Sequence, residues 1–357
     1  MKLLNSIEEL FQLNNRIKVA GAGNNGRILG KFFNVQNICW NGYVDRTPIV
    51  SKLNGKEIKK YSDIQNDDGS TYIISSTRWL SEIKSELNCR GITDNDIICV
   101  GSDNLLTEIA KITEKYYSER IRRFKNKYKG KRCFIIGNGP SLLARDLDYL
   151  VDDVCFASNS IFAIYKETKW RPTFYFATDP DAISGIASDK EVLNTVLSNC
   201  NYFFSQINQE LFYRGNIADE DRIEYLRLQR EYYFGQRPLF SENCHEVVFI
   251  GGTVTYYCLQ MAAYMGFTEI YLLGVDCDFS GWTEGGIAYN PSIEEENTKF
   301  GYKQLESKDE IVDLESEQTE AYKSAKVYAD SKGIKIFNAT RGGKLGVFER
   351  VNFSELV

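Results

Sequence analysis

The chain passes twice from a short apolar run into a glycine-rich turn and then into a helical pattern. Residues 16–20 (RIKVA) lead into GAGNNG, and residues 131–136 (KRCFII) lead into GNGPSL. After each turn, apolar runs and helical stretches continue to alternate, which is the order that builds a parallel sheet covered by helices. The chain has 357 residues, more than twice the ~150 of a usual domain, so two such sheets fit it. The sequence therefore predicts an α/β protein with two domains.

Each predicted domain has a Rossmann-like fold, a mainly parallel sheet with helices on both faces. We place the first domain at residues 1–110, a basic connecting helix at residues 111–130 and the larger second domain at residues 131–357. In the second domain the predicted strands, EIYLLGVDCDF for example, are almost continuous apolar runs. Such runs are typical of a parallel sheet that is buried on both faces.

The composition excludes several kinds of site and partner. His245 is the single histidine, so a site of several histidines is excluded, and its place before an apolar run fits a structural role as well as a catalytic one. The nine cysteines have neither zinc nor disulfide spacing, which predicts reduced thiols and a cytoplasmic protein. No apolar run reaches the roughly 18 residues of a membrane span. The net charge of −6 argues against a nucleic-acid partner.

The first glycine-rich turn has the spacing of a dinucleotide-binding turn. Gly21, Gly23 and Gly26 follow the G-x-G-x-x-G pattern, and Asp45 ends the next predicted strand. The same glycines could also serve the turn alone, and no catalytic His, Cys or Lys follows them. The stretches GAGNNG, GYVDRTP and LNGKEI resemble the small Rossmann-like domains found beside sugar-modifying enzymes. Gly21, Gly23, Gly26 and Asp45 therefore form a second candidate nucleotide site. We expect no tight binding of NAD at this site.

Residues 111–132 form a strongly basic segment with ten Lys or Arg against two Glu. Five apolar residues of this segment fall on one predicted helical face: Ile112, Tyr116, Ile121, Phe124 and Tyr128. A basic amphipathic helix can rest on an anionic membrane surface, which would place the protein at the inner face of the membrane. The alternative, which we favour, is a connecting helix that packs its apolar face on one of the domains.

Polar and glycine residues follow several predicted strands of the second domain. Because ligands of open α/β sheets bind beyond the carboxyl ends of the strands, these residues predict one site at that edge. They are Gly137, Asn138, Gly139, Pro140, Ser141, Asn159, Thr178, Asp179, Gly251, Gly252, Thr253, Asp276 and Asp278.

Three groups of residues within this set could bind a phosphate, another anion or a metal ion. The GNGPSL turn would leave free backbone amides at a helix N-terminus, where they could bind a phosphate, and Ser141 could cap that helix. The alternative is a turn that only connects strand and helix and binds no ligand. GGTVT, at residues 251–255, is a second candidate anion site before a helix. Asp276 and Asp278 could bind Mg²⁺ or Mn²⁺, because positions i and i+2 of an extended strand share a face. Asp278 could equally cap the loop that follows.

The second domain resembles two related protein families. GNGPSL, ASNSIF, RPTFYFATDP and GGTVTYYCLQMAAYMGFTEIYLLGVDCDF resemble the 6-hydroxymethylpterin diphosphokinase MptE-like family and the bacterial CMP-sialic-acid-dependent sialyltransferases. The ending NATRGGKLGVFERVNF resembles MptE-like proteins of bacterial surface-polysaccharide clusters. The resemblance implies that residues 137–141, Asn159, Asp179 and the Gly252–Thr253 turn line a nucleotide site, with Asp276 beside them.

The resemblance implies a glycosyltransferase that takes a nucleotide-activated donor, a CMP-sugar, and builds a surface polysaccharide on a glycan or lipid-linked acceptor. One departure matters: those sialyltransferases use a His base after this strand, and residues 279–357 contain no His. Asp276, Asp278 or Tyr289 could then act as catalytic residues. The alternatives are a Mg²⁺-dependent diphosphokinase and a non-catalytic nucleotide- or sugar-binding scaffold. Whether the chain forms a homo-oligomer stays open.

Overall fold

A computed structural model describes residues 1–13, 16–48, 51–64, 69–100, 102–207, 222–231, 236–278 and 308–357. The chain divides into two compact units, and the division falls inside one helix, between Tyr117 and Ser118. The described part of unit 1 lies within residues 1–117, and the described part of unit 2 lies within residues 118–357.

Unit 1 contains one sheet with helices on both faces. Its strands are β1 (Lys2–Leu4), β2 (Ile17–Ala20), β3 (Gly42–Asp45), β4 (Lys52–Leu53), β5 (Lys56–Lys60), β6 (Thr71–Ile74) and β7 (Ile97–Val100), and its helices are α1 (Glu8–Phe11), α2 (Asn24–Val35), α3 (Leu80–Asn88) and the first part of α4 (Asp103–Ile121). The strand order is β1-β7-β6-β2-β3-β5-β4. All pairs are parallel except the β4–β5 hairpin, whose Asn54–Gly55 turn has positive φ at both residues, as a tight hairpin turn requires.

Alternate residues of the unit 1 strands enter two separate cores. Tyr43 and Ile73 pack with α2 and α4 residues such as Phe32, whereas the next residue of each strand, Val44 and Ile74, packs on the other face with Leu87 of α3 and its neighbours. Successive side chains of a strand point to opposite faces, so a sheet with two apolar faces needs helices on both. The predicted arrangement, a mainly parallel sheet with helices on both faces, is confirmed.

Unit 2 contains a larger parallel sheet. Its strands are β8 (Arg132–Ile136), β9 (Cys155–Ser158), β10 (Phe174–Phe176), β11 (Tyr202–Gln206), β12 (Ile223–Leu226), β13 (Leu228–Gln229), β14 (Val248–Phe249), β15 (Glu269–Leu273), β16 (Lys335–Asn338) and β17 (Glu349–Arg350). The large sheet has the order β12-β11-β10-β9-β8-β15-β16-β17, while β13 and β14 form a separate pair. The helices are α5 (Ala144–Leu147), α6 (Pro180–Ser188), α7 (Lys190–Ser198), α8 (Val254–Tyr264) and α9 (Lys308–Lys332). Helix α8 is buried over most of its length, as its apolar sequence predicts.

Each sheet has one point at which successive strands change sides. In unit 1 the chain adds β3 on one side of β2 and β6 on the other. In unit 2 it adds β9 to β12 on one side of β8 and β15 to β17 on the other. At such a switch point the two diverging loops leave a crevice that is the usual ligand site of open α/β sheets. The fold therefore offers the crevices β2/β6 and β8/β15.

The basic segment differs from its predicted form. Helix α4 ends at Ile121, and a 3₁₀ turn follows, so the apolar residues do not stay on one helical face. Ile121 and Phe124 are buried in the core of unit 2, while Tyr116 is exposed. Within the described residues, no helix is long and apolar enough to cross a membrane. Packing of the apolar residues favours the connecting role, and contact with a membrane surface stays a prediction.

A buried carboxylate holds this segment in unit 2. Glu224 on β12 is 0% exposed, and it accepts hydrogen bonds from Arg120, at 3.1 Å, and from Arg123. Burial raises the pKa of Glu224, and the two guanidinium groups oppose that rise. Removing the partners of a buried charge leaves it uncompensated, which is far more costly than breaking an exposed pair.

We therefore expect the double variant Arg120→Ala/Arg123→Ala to lose about 3 kcal/mol of unfolding free energy in urea denaturation. Arg122→Ala is the matched control, because Arg122 pairs with Glu119 on the exposed surface, and its stability should stay close to that of the wild type. Equal stability of the double variant and the control would contradict this role of Glu224.

Candidate active site

The GNGPS turn is bonded to the neighbouring strand rather than left free. The amide of Gly137 donates to the carbonyl of Leu273 at 2.8 Å, and the amide of Gly139 donates to that of Gly274 at 2.9 Å. The prediction that these two glycine amides are free to hold a phosphate is therefore wrong. The parallel pairing of β8 with β15 continues past the ends of both strands, so the amides of Gly137 and Gly139 donate to backbone carbonyl groups.

Ser141 does not cap a helix. The short helix α5 begins three residues later at Ala144, and its N-cap residue is Leu143. The Ser141 hydroxyl instead donates to Oδ2 of Asp276 at 2.8 Å. The predicted cap is wrong because the turn runs on for two residues before helical geometry starts. The contact joins the loops that follow β8 and β15, on the two sides of the switch point.

Asp276 is a buried carboxylate at this switch point. It is 9% exposed, and burial raises its pKa, with the neighbouring Asp278 acting in the same direction. Hydrogen bonding by Ser141 and the positive charge of Arg350 partly oppose this rise in pKa. A Cβ atom on Gly139 would overlap Oδ2 of Asp276, so glycine is required there for the close approach of the carboxylate.

Asp276 and Asp278 do not share the face of an extended strand. Strand β15 ends at Leu273, and Cys277 has a φ of +46°, so the chain turns between the two aspartates. Asp278 pairs with Nζ of Lys344 at 2.8 Å. The argument that the two carboxylates share the face of an extended strand is therefore wrong, and a metal ion bound by this pair stays a prediction. Among the residues described, no three His, Cys, Asp or Glu side chains gather as metal ligands do.

The segment after β16 fixes the backbone of Asp276. The amide of Lys344 donates to the Asp276 carbonyl at 2.7 Å, and Oγ1 of Thr340 accepts from the amide of Val275 at 3.1 Å. Gly343 has a φ of +70°, and a Cβ there would lie 2.6 Å from the Asp276 carbonyl oxygen. Arg350 holds this turn by donating to the carbonyl groups of residues 342 and 343. The role of this NATRGGK segment was not predicted.

Asn138 and Asn159, which follow strands β8 and β9, each have a side-chain amide oxygen without a hydrogen-bond partner among the described residues. Nδ2 of Asn138 donates to the carbonyl of Ser158 at 3.1 Å, and this contact bridges the ends of β8 and β9. Oδ1 of Asn138 and Oδ1 of Asn159 are buried and have no hydrogen-bond partner in the described part of the chain. Asn159 also has a φ of +52° and accepts a hydrogen bond from Tyr175 on its carbonyl. Buried acceptors of this kind usually have a partner, so they indicate where a ligand would donate.

Thr178 and Asp179 follow β10 and begin the next helix. Thr178 is buried, and its carbonyl accepts from Gln206 of β11. Asp179 is exposed and caps α6 by accepting from the amides of Asp181 at 2.9 Å and Ala182 at 3.3 Å. Pro180 at the first helical position completes this start signal. Their visible role is to begin α6 at the sheet edge.

A protein carboxylate lies at the second predicted anion site. Thr253 caps α8, and a Cβ on Gly252 would lie 3.0 Å from the carboxyl carbon of Glu317. Glu317 pairs with Arg230 at 3.1 Å. A Cβ on Gly251 would lie 2.7 Å from Ala321 of α9, so this glycine serves close packing. Glu317 and Arg230 were not predicted, because nothing in their local sequence marks them.

The two remaining candidates are His245 and Tyr289. His245 is buried, its Nδ1 lies 3.0 Å from the hydroxyl of Tyr264, and burial lowers its pKa, so it is neutral at pH 7. Tyr264 ends α8, whereas Thr253 begins it, which places the histidine at the far end of that helix. Tyr289 lies outside the described residues.

The first glycine-rich turn has the predicted local geometry. Gly21 has a φ of +96°, and Gly26 lies so close to it that a Cβ would overlap the Gly21 carbonyl. Asp45 accepts from the amides of Ala22, at 2.7 Å, and Thr47, at 3.1 Å. Gly23 caps α2. The four predicted residues therefore lie together at the β2/β6 switch point of unit 1.

The buried charge of Asp276 should cost stability. Its pKa is raised in the folded state, so its contribution to stability is present at low pH and is lost as pH rises through that pKa. Asp276→Asn removes the charge, and we expect a higher Tm than wild type at pH 8, with the gain shrinking toward pH 4.

The control is Asp330→Asn, which changes an exposed carboxylate on α9 and should leave the Tm unchanged at both pH values. A Tm of Asp276→Asn below that of wild type at pH 8 would contradict the account. Thermal unfolding followed by circular dichroism measures both.

Comparison with family models agrees with the predicted resemblance to the MptE-like family. No protein of curated function matches the chain. Among solved structures, it is similar to the MAf glycosyltransferase from Magnetospirillum magneticum AMB-1, with a TM-score of 0.41 and 14% identity, over 96% of this chain and 58% of that one. The family model described as 6-hydroxymethylpterin diphosphokinase MptE-like matches residues 103–281, half of the chain. The chain therefore belongs to the 6-hydroxymethylpterin diphosphokinase MptE-like family.

Proposed function

We propose that the chain is a transferase that moves a group from a nucleotide-activated donor to an acceptor hydroxyl at the β8/β15 switch point. The observation that carries this proposal is Asp276, a buried carboxylate with a raised pKa at the place where open α/β sheets bind ligands. The family to which the chain belongs is described as a diphosphokinase, and diphosphokinases are transferases, which supports the same reaction type at its coarsest level.

Asp276 would act as the general base. An acceptor hydroxyl attacks well only as it loses its proton, and a carboxylate accepts that proton better when its pKa is nearer neutrality. Burial supplies this rise in pKa, and the hydrogen bond from Ser141 keeps Oδ2 in one position. The turn held by Arg350 fixes the backbone from the other side. The base would thus be held in place before the acceptor binds.

The donor nucleotide would lie on the β8 and β9 side of Asp276. Oδ1 of Asn138 and Oδ1 of Asn159 can accept hydrogen bonds from ribose hydroxyls or from a base amino group. The bonds made by the Gly137 and Gly139 amides argue against a phosphate held by those two groups. We take a CMP-linked sugar acid as the donor and a glycan or lipid-linked hydroxyl as the acceptor, as the sequence resemblance implies.

The second candidate is a diphosphokinase, which the family match favours. It would move a diphosphate from ATP to a hydroxyl, a reaction that needs Mg²⁺ to bridge the phosphates. Asp276 and Asp278 lie on either side of the turn at Cys277, and among the described residues no group of three His, Cys, Asp or Glu could hold a metal ion. The residues described do not fit a metal ion as they stand, so the proposed mechanism takes no step through one.

The two candidates differ in what is transferred. Incubation of the full chain with CMP-sialic acid, UDP-sugars or ATP, with and without Mg²⁺, separates them by the mass added to a hydroxyl acceptor. A sugar mass from a nucleotide sugar supports the proposal, and a diphosphate mass that needs Mg²⁺ supports the second candidate. Nucleotide binding without turnover, unchanged in Asp276→Asn, would leave only a scaffold and overturn both.

Removal of the Ser141 hydroxyl should shift the pH dependence of the reaction. The hydrogen bond from Ser141 stabilises the ionised form of Asp276 and lowers its pKa. Ser141→Ala therefore raises this pKa, and the acid limb of kcat/KM should move to higher pH. Asp276→Asn should lack that limb and lose about 100-fold or more in kcat, because general-base catalysis usually contributes 10²–10⁴.

Ser331→Ala is the matched control, because that hydroxyl donates only within its own helix, to the carbonyl of Tyr328, and its profile should match the wild type. An acid limb that stays in place in Ser141→Ala, or persists in Asp276→Asn, would exclude Asp276 as the base.

Comparison of Gly139→Ala with Gly23→Ala tests which of the two units contains the active site. A Cβ on Gly139 would overlap the Asp276 carboxylate, so Gly139→Ala must displace it, and we expect turnover to fall at least about 100-fold. A Cβ on Gly23 meets nothing within 4 Å, so Gly23→Ala should keep most of the turnover. The reverse pattern in two folded variants would show that the reaction takes place in unit 1.

A further inference from the structure

Unit 1 contains a cavity that the transfer reaction does not use. The cavity has a volume of about 890 Å³ and lies at the β2/β6 switch point, between the turn after β2 and the loop after β6. Nδ2 of Asn25 donates to the Ser75 carbonyl at 3.0 Å and so joins its two sides. A cavity of this size at this position is typical of a small-molecule site.

One end of the cavity is suited to a phosphate. Gly23 caps the twelve-residue helix α2 without a side-chain hydrogen bond, and it lines the cavity. The amides of residues 24–26 are in the first turn of this helix, where no carbonyl of the helix can accept from them. Free amides and the positive end of the helix dipole together attract an anion. The Gly21 and Ala22 amides are already bonded, to the Val44 carbonyl and the Asp45 carboxylate, so the donors left for a ligand are the amides of residues 24–26.

Two side chains with hydroxyl groups line the same cavity. Tyr61 is 4% exposed and Ser75 is 2% exposed, and both line the cavity. Neither hydroxyl has a hydrogen-bond partner in the described part of unit 1. Because both residues line the cavity, their hydroxyl groups can bond to polar atoms of a ligand there. This observation does not depend on the helix terminus.

The rim of the cavity offers a surface for a nucleobase. Trp79 is 52% exposed, and the guanidinium carbon of Arg78 lies 5.1 Å from the centre of its ring. A large exposed aromatic ring beside a cation stacks well with a flat base. Asp45 uses each carboxylate oxygen for one backbone amide, which leaves a further lone pair on each for a ribose hydroxyl.

We propose that unit 1 has a ligand site of its own, which binds a nucleoside phosphate. The phosphate lies at the amides of residues 24–26, with the hydroxyl groups of Tyr61 and Ser75 beside it. The ribose meets Asp45, and the base stacks on Trp79. Free nucleotides, nucleotide sugars and dinucleotides share this chemistry. The site is separate from the transfer reaction at Asp276.

Calorimetric titration of the full chain tests this proposal. The ligands are CMP, UMP, AMP, a UDP-sugar and NAD, with inorganic phosphate as the anion control. We expect at least one nucleoside phosphate to bind at least tenfold more tightly than inorganic phosphate. The ligand that binds most tightly identifies the source of the nucleoside phosphate.

Gly23→Val assigns the binding to unit 1, because the new side chain enters open space at the phosphate end. We expect it to weaken binding at least tenfold, and Tyr61→Phe to weaken it at least threefold. Gly346→Val is the matched control, since its Cβ also meets little, and this variant should bind as the wild type does.

Three results would overturn the proposal. They are the absence of binding by every nucleoside phosphate, equal binding of inorganic phosphate, and binding that is unchanged in both Gly23→Val and Tyr61→Phe. Should Gly23→Val fail to fold, Tyr61→Phe and Ser75→Ala still decide, because each removes only a hydroxyl group.

Discussion

The parallel pairing of β8 with β15 is the constraint on which the candidate active site depends. This pairing extends beyond both strands through the bond from the Gly139 amide to the Gly274 carbonyl. It leaves so little space that only glycine fits at position 139, and the carboxylate of Asp276 occupies the space that a side chain would need. The burial of the Asp276 carboxylate and its hydrogen bond from Ser141 both follow from this one contact between two loops.

Unit 2 contains several acidic side chains that are largely shielded from solvent, and different groups pair with each of them. Glu224 is buried between two arginines, and Glu317 pairs with Arg230 near the start of α8. Asp276 receives weaker compensation, a serine hydroxyl and a more distant arginine. Burial raises the pKa of both Glu224 and Asp276, but two guanidinium groups bond to Glu224, whereas the neutral hydroxyl of Ser141 bonds to Asp276. This difference in compensation is the physical reason to distinguish Asp276 from the other buried acids.

The two glycine-rich turns look alike in sequence and differ in what their amides do. In GNGPS the amides of Gly137 and Gly139 are bonded to Leu273 and Gly274, and the helix that follows has four residues. In GAGNNG only the Gly21 amide is bonded in this way, to Val44. In GAGNNG the turn leads directly into a twelve-residue helix whose first amides face a cavity. The sequence pattern was equally consistent with phosphate binding at both. Local sequence specifies that a turn forms, but the neighbouring strand decides whether its donors remain available.

The sequence by itself determined the α/β class, the parallel sheets and the positions of the strand ends, because apolar runs and glycine turns are local signals that act within a few residues. It also predicted that Asp276 lies at the same edge as the GNGPS turn. Only the tertiary structure decided the partners of that carboxylate, the place of Lys344 beside Asp278 and the position of Glu317 at the second predicted anion site. These contacts join residues more than 60 positions apart, and no local pattern records which distant side chain will occupy a given space.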